Sequence, residues 1–291
     1  MNKNLEFRRQ REFGEIISDT FLFIKQNFKP LMKVFFYLCG FFILASILSA
    51  VTHILGAGNV KNLNSATSPM QAYSNIFSWS YALVMLFYLG TYTAVTVSTL
   101  SYIAVYIEKG NLPPSPEEVW AYFKYYFLRV IGSTIPITIL MILAFICCII
   151  PGFYVFPALS IFYAVMIFEN GSFKYSFGRA FKLANLDWWA TAGAMIIIWI
   201  ITYAAFVIPS LPTMILGMVS MFTKGPSGTG TTLLIISTII QYLSYVFMMI
   251  PLIGVSLCYF NLAERLESGG LLARIDKIGE QSKQSDIPEE Y

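Results

Sequence analysis

Charge is what this sequence has least of. Asp, Glu, Lys and Arg make up 12% of 291 residues, where an ordinary soluble domain carries about a quarter. Histidine is nearly absent, with His53 alone. A single His with no Cys or carboxylate nearby in sequence cannot build a zinc site. It reads as an interfacial side chain. The four cysteines, Cys39, Cys147, Cys148 and Cys258, lack metal-ligand spacing and all fall in apolar runs. They read as small buried side chains rather than as a disulfide framework. Gly-x-Ser-x-Gly, phosphate-binding Gly loops and His-Glu-x-x-His are all missing, and no nucleophile has a base close by. The expectation is therefore a protein that is not an enzyme and carries no cofactor and no metal.

What fills the sequence instead is apolar: 57% hydrophobic and 16% aromatic, with a mean hydropathy of +0.66. Six stretches approach or exceed the roughly 20 residues needed to cross a bilayer. They are Leu31–Leu55, Phe77–Ile107, Val130–Ile150, Phe153–Phe168, Trp188–Pro209 and Thr232–Leu262. Pro151-Gly152 between the third and fourth is a turn signal, so those two read as a tight hairpin. An apolar continuation after the fifth, Ser210–Phe222, is broken by Pro209 and Pro212. It fits a kinked extension or a re-entrant segment. Residues 1–30 then form an N-terminal segment, 31–264 a six-helix transmembrane domain, and 265–291 a tail. In that tail Leu271, Leu272, Ile275 and Ile278 suit one face of a short surface helix, and the chain from Glu280 is polar enough to be disordered.

The nineteen Lys and Arg fix the expected orientation. With the N-terminus in the cytoplasm, only Lys61 and Lys224 fall on the far side, so the positive-inside rule places both termini in the cytoplasm. The net charge of +3 then serves topology and contact with anionic lipid rather than nucleic acid. The charged, periodic stretch ahead of residue 31 has the wrong layout for a cleaved signal peptide.

Three cytoplasmic stretches share a pattern. Phe21 and Phe28, Trp120 and Phe127, and Phe181 and Trp188 are aromatics seven apart, each pair leading into a span. Two helical turns place such residues on one face, as in an interfacial amphipathic helix. The expected fold is thus all-α and polytopic: about six transmembrane helices with three cytoplasmic interfacial helices, a pseudo-threefold helix-plus-hairpin repeat. Aromatic belts at membrane interfaces would explain the same residues without a repeat. The second of these helices has a clear start, with Ser115 as N-cap, Pro116 at the first position, and Glu117 and Glu118 at the positive dipole end.

Pro151-Gly152-Phe153-Tyr154, Glu169-Asn170-Gly171, Phe177, Arg179-Ala180-Phe181, Leu183 and Trp188 form a recognisable string. The opening Phe13-Gly14-Glu15-Ile16 with Asp19, and the closing Tyr259-Phe260-Asn261-Leu262 with Glu264, belong with it. Together they resemble the membrane domain found fused to some bacterial glycerophosphoryl diester phosphodiesterases and also as stand-alone membrane proteins. The resemblance implies a multi-span helical domain in the bacterial cytoplasmic (inner) membrane. It does not imply phosphodiesterase activity, since the soluble catalytic barrel has no room in this chain.

Ionisable groups are missing from the central part of every span. A mid-membrane charge is costly and persists where function needs it, so neither a proton-coupled pathway nor a voltage sensor is indicated. The polar content of the spans is hydroxyl and amide. Tyr88, Tyr92, Thr96, Thr99 and Tyr106 share a helical stripe in the second span, and Thr238, Gln241, Ser244 and Tyr245 lie in the sixth. Hydrogen bonding between helices accounts for such groups. The functional alternative is a polar interior for a lipid headgroup or small solute, built from Tyr92, Thr96, Thr99, Gln241 and Tyr245. A second candidate surface, for a lipid or a membrane partner, is Arg8, Arg9, Arg11, Glu169, Arg179 and Asp187. The plain reading of that set is topology and ion pairing at the inner face. Two functions follow as expectations: an accessory or scaffold protein acting through lipids or other membrane proteins, and a transporter or channel through a hydroxyl-lined interior.

Overall fold

The computed structural model describes residues 4–60, 78–147, 149–222 and 228–267. Lys61 and Lys224, the outer loops and the tail beyond Glu267 lie outside the described residues, and so does the surface helix expected around Leu271–Ile278. The described chain is all helical: α1 (Phe13–Val60), α2 (Trp79–Glu108), α3 (Pro116–Cys147), α4 (Ile149–Phe168), α5 (Phe173–Ala184), α6 (Trp188–Phe222), α7 (Gly228–Leu243), a 3₁₀ turn (Ser244–Met248) and α8 (Met249–Glu267). Among these residues six helical stretches are long and apolar enough to cross a membrane, the sixth running from Thr232 to Glu267 through α7, the 3₁₀ turn and α8. The protein is an all-α, multi-pass membrane protein.

Proline explains most of the irregularities. Asn27 leaves helical geometry inside α1, at φ −111° and ψ 15°. Pro30, three residues on, lacks the N–H that would bond the Gln26 carbonyl, and its ring crowds that carbonyl. Asn27 also steadies the bend: its Nδ2 donates to Phe23 O, and its Oδ1 accepts from Tyr102 Oη, both at 3.2 Å. Pro251 likewise cannot bond the Phe247 carbonyl, and the chain ahead of it tightens into the 3₁₀ turn. Pro209 and Pro212 do not interrupt α6, which continues as helix to Phe222. Residues 210–222 therefore extend the fifth span and are not a re-entrant loop.

Two expectations need correction. Pro151-Gly152 is not a turn but lies in the first turn of α4, where backbone N–H groups have no helical partner and proline costs nothing. Gly152 serves packing instead: a Cβ there would lie 2.6 Å from the Phe145 ring of α3. The three amphipathic stretches are also not built alike. The first bends away from its span at Asn27, the second runs on as one helix, and the third, α5, is a separate helix. Phe181 and Trp188 thus sit on different helices, so their seven-residue spacing marks no common face.

Ser115 starts α3 as expected and forms a capping box: Ser115 N donates to Glu118 Oε2 at 2.7 Å, and Glu118 N to Ser115 Oγ at 3.4 Å. This reciprocal pairing satisfies two otherwise orphaned donors.

Several contacts gather the connecting segments at one end of the bundle. Asn4 bonds Asn111 O, Arg129 bonds Asn170, Arg265 pairs with Asp187, and Arg11 N–H bonds Asn261 Oδ1. We refer to it as the basic end. Residues 4–12 lie across it as a strap. Phe7 is fully buried and meets Phe23, Tyr106 and Phe260 edge-on at 5.0, 6.0 and 5.7 Å. Both ends of the described chain lie here, which requires an even number of crossings.

Candidate functional site

The polar groups of the basic end sort into two compact clusters. In the first, Arg11 is buried although charged, with its side chain at 0% exposure. Its Nε donates to Asp19 Oδ2 at 2.8 Å, and Nη1 to Phe7 O at 2.7 Å and Arg9 O at 3.3 Å. Nη2 bonds Glu6 O. Burial pulls the Arg11 pKa below its ordinary value, and the Asp19 hydrogen bond and charge oppose that pull. Arg9 shares the same carboxylate oxygen at 2.9 Å.

In the second cluster Glu169, just past the end of α4, takes Tyr259 Oη at 2.8 Å and Arg179 Nε at 3.1 Å on Oε1. Tyr175 Oη donates to Oε2 at 2.6 Å. Arg179 continues to Glu267. The guanidinium is partly buried, which by itself lowers its pKa. Glu169 first, then Glu267, overcome that and hold it above its ordinary value. The Tyr175 hydroxyl is raised above its ordinary value, chiefly because it donates to Glu169. Asp187 pairs with Arg265 at 2.5 Å. Asp19, Glu169, Arg179, Tyr259 and Asn261, which carry the resemblance noted in the sequence, are thus the joints of these clusters.

Of the candidate surface, Arg9, Arg11, Glu169, Arg179 and Asp187 spend their charge on partners within the protein. Arg8 is different. It is exposed and lines two adjoining clefts of about 320 and 330 Å³ that share Phe168, Tyr259 and Phe260.

The larger cavity, about 580 Å³, lies in the far half of the bundle, within the range that holds small ligands. α1 contributes Ala50, His53 and Ile54, and α2 contributes Val84, Tyr88 and Tyr92. α6 supplies Trp199 and Phe206. Thr238, Gln241 and Tyr242 of α7, with Tyr245 and Met248 of the 3₁₀ turn, complete the lining. The proline-tightened turn swings Tyr245 beside Tyr88 and Phe206, ring centroids 6.3 and 6.0 Å away. Tyr88 and Gln241 are exposed, so the cavity is open. His53 Nδ1 lies 3.0 Å from Ser80 Oγ.

Three of the five residues expected in a polar interior, Tyr92, Gln241 and Tyr245, meet here. Thr96 and Thr99 do not. Both are buried in α2, with Thr96 Oγ1 donating to Tyr92 O at 2.9 Å. The sequence reading missed His53 and Trp199 as lining residues. Trp199 looks like any apolar span residue in sequence, and the cavity partners of His53 come from three other helical spans, which its own local sequence does not reveal.

Cys39 and Cys258 are buried free thiols, and Cys39 Sγ lies 3.3 Å from Ser98 Oγ. No group of three or more His, Cys, Asp or Glu among the described residues is arranged to hold a metal ion. Compared with protein-family models, with curated proteins and with solved structures, the chain matches none.

Proposed function

We propose that this chain is a non-enzymatic integral protein of the bacterial cytoplasmic membrane, with both termini cytoplasmic, which works as an accessory or scaffold protein by holding a lipid in the far half of its bundle. The cavity of about 580 Å³ carries the reading. It is a chamber with ring walls, a few hydroxyls, one imidazole and one amide, and among the described residues no Asp, Glu, Lys or Arg lines it. The base asymmetry and the resemblance to the membrane domain of glycerophosphoryl diester phosphodiesterases support the location. Native mass spectrometry of protein purified in mild detergent tests the reading. A retained lipid, lost from Gln241→Leu, is the expected result; protein free of lipid under every extraction condition counts against it.

The transporter reading has one observation in its favour: Pro251, the 3₁₀ turn and the bend at Asn27 put irregular geometry in two cavity-lining spans. Against it stands the basic end, where Phe7, Phe23, Tyr102, Tyr106 and Phe260 pack with almost no exposure and block a path. Flux through reconstituted vesicles that disappears in Gln241→Leu would move this reading ahead.

A further inference from the structure

Arg8 is exposed and makes no bond among the described residues, yet the chain around it is arranged to present it. Arg9 N–H donates to Phe7 O at 2.9 Å, a γ-turn with Arg8 at its tip. On one side of the tip Phe7 is fully buried, and on the other Arg9 and Arg11 are tied to Asp19. The tip is therefore held before any ligand arrives, which lowers the ordering cost of binding.

The first cleft that Arg8 lines, about 320 Å³, lies at the small end of the range for ligand sites. Its other polar members are Glu108, Tyr122, Tyr126, Asn170 and Tyr259, and the remainder is apolar. Tyr122 Oη is spent on Glu108 at 2.6 Å, and Tyr259 Oη on Glu169 at 2.8 Å. Tyr126 is not spent. It is 5% exposed, its hydroxyl has no partner among the described residues, and the oxygen is not sealed from solvent. A buried polar group normally has a partner, so this one suits a molecule seated in the cleft. Asn170 Oδ1 accepts from Arg129 at 2.8 Å, which leaves the amide N–H groups of Asn170 to donate.

The charges narrow what that molecule is. Arg8, Tyr126 and Asn170 offer donors, whereas Glu108 is an exposed carboxylate with acceptor capacity beyond its bond from Tyr122. A ligand that is only anionic would also meet Glu169, Glu264 and Glu267 in the adjoining cleft, against Arg179 alone. A ligand that is only cationic would meet Arg8. We propose that this cleft binds a zwitterionic phosphodiester, with its phosphate on the Arg8 guanidinium and the Tyr126 hydroxyl and its ammonium on Glu108. A planar guanidinium matches phosphate oxygens two at a time, and the separate hydroxyl serves a further one. Two sources offer that chemistry, the headgroup of phosphatidylethanolamine and the same headgroup free of its acyl chains. The site lies away from the far-half cavity and does not rest on the lipid proposed there.

The test uses the full chain in mild detergent with three probes: dihexanoyl phosphatidylethanolamine, dihexanoyl phosphatidylglycerol and glycerophosphoethanolamine. Binding is read by titration calorimetry and by the rise in Tm. The ethanolamine lipid should bind saturably and more tightly than the glycerol lipid, which keeps the phosphodiester but has no ammonium. Equal binding of glycerophosphoethanolamine identifies a soluble source, and binding of the diacyl form alone identifies the membrane. Arg8→Gln should weaken the ethanolamine probe about tenfold, the effect of one charge-assisted hydrogen bond. Tyr126→Phe should weaken it about fivefold, the effect of a neutral one. Glu108→Gln should erase the preference for ethanolamine over glycerol. Arg8 and Glu108 are exposed, so those two variants keep the test readable should Tyr126→Phe fail to fold. Gln241→Leu, in the far-half cavity, should leave all three affinities unchanged. Unchanged affinity in Arg8→Gln, or equal binding of the two lipids by the wild type, overturns the assignment. Failure of every probe to bind, as when a part of the chain outside the described residues already fills the cleft, overturns it too.

Discussion

The Arg11 guanidinium and the Asp19 carboxylate meet at 2.8 Å beneath the N-terminal strap, with no part of the Arg11 side chain exposed. The strap's own carbonyls, from Glu6, Phe7 and Arg9, complete the arginine's donor set. One side chain therefore organises nine residues of irregular backbone over the end of a helix bundle.

Arg11→Met should destabilise the protein by about 1–3 kcal/mol, since it strands three carbonyls and leaves Asp19 paired with Arg9 alone. Arg11→Lys should recover little, because an ammonium cannot span the fork of sites that the planar guanidinium reaches. Chemical denaturation in detergent, following exposure of the strap by limited proteolysis, measures both. A loss under 1 kcal/mol for Arg11→Met would mean the strap is held by Phe7 alone.

Tyr175 gives a pH dependence whose sign can be worked out. Its folded pKa lies above the ordinary value of about 10 because its hydroxyl donates to Glu169. The stabilisation is fully present below pH 10 and is lost as pH rises through the raised folded value. The free energy of unfolding in detergent, followed by chemical denaturation as a function of pH, should fall in that alkaline window in the wild type. Tyr175→Phe should flatten the response, and an identical alkaline response in the variant would place its origin elsewhere.

Gly152→Ala puts a methyl 2.6 Å from the Phe145 ring. The helix-propensity gain of about 1 kcal/mol from replacing glycine is outweighed by overpacking of about 1–3 kcal/mol. The expected outcome is a lower Tm in Gly152→Ala. Restored stability in Gly152→Ala with Phe145→Leu would identify the ring as the cause.

Orientation is open to cysteine labelling. Ser65→Cys, in the outer loop beyond the described residues, should react with an impermeant reagent in intact cells. Ser115→Cys and Ser282→Cys should react only after the membrane is opened. The Ser115 change also removes an N-cap, at a cost of about 1 kcal/mol, so its expression level is checked alongside. Labelling of Ser115→Cys in intact cells would invert the proposed topology.

The spans were legible because bilayer thickness imposes a length and a composition that local sequence must satisfy. Ser115 was legible because capping is local. The strap was not: Arg8-Arg9-Arg11 reads as a topology signal, and its partners Asp19 and Asn261 become visible only in three dimensions. Pro151-Gly152 misled because the pair has two local meanings, turn and first helical turn, and only Phe145 across the hairpin decides between them. The cavity was half legible. The polar stripe of α2 contributed Tyr92, but helical periodicity cannot say at what depth a stripe stops facing its neighbours, and Thr96 and Thr99 fall below that depth.

The hydrogen bond from Arg11 N–H to Asn261 closes a separation of 250 residues. At about 5–20 residues per second of synthesis, the strap exists for roughly 12 to 50 s before its acceptor is made. The strap therefore settles only after α8 has followed it out of the ribosome. Until α8 inserts, Phe7 lacks the Phe260 ring that packs against it and remains available to chaperones and proteases. Burial of Phe7 then reports that α8 has docked.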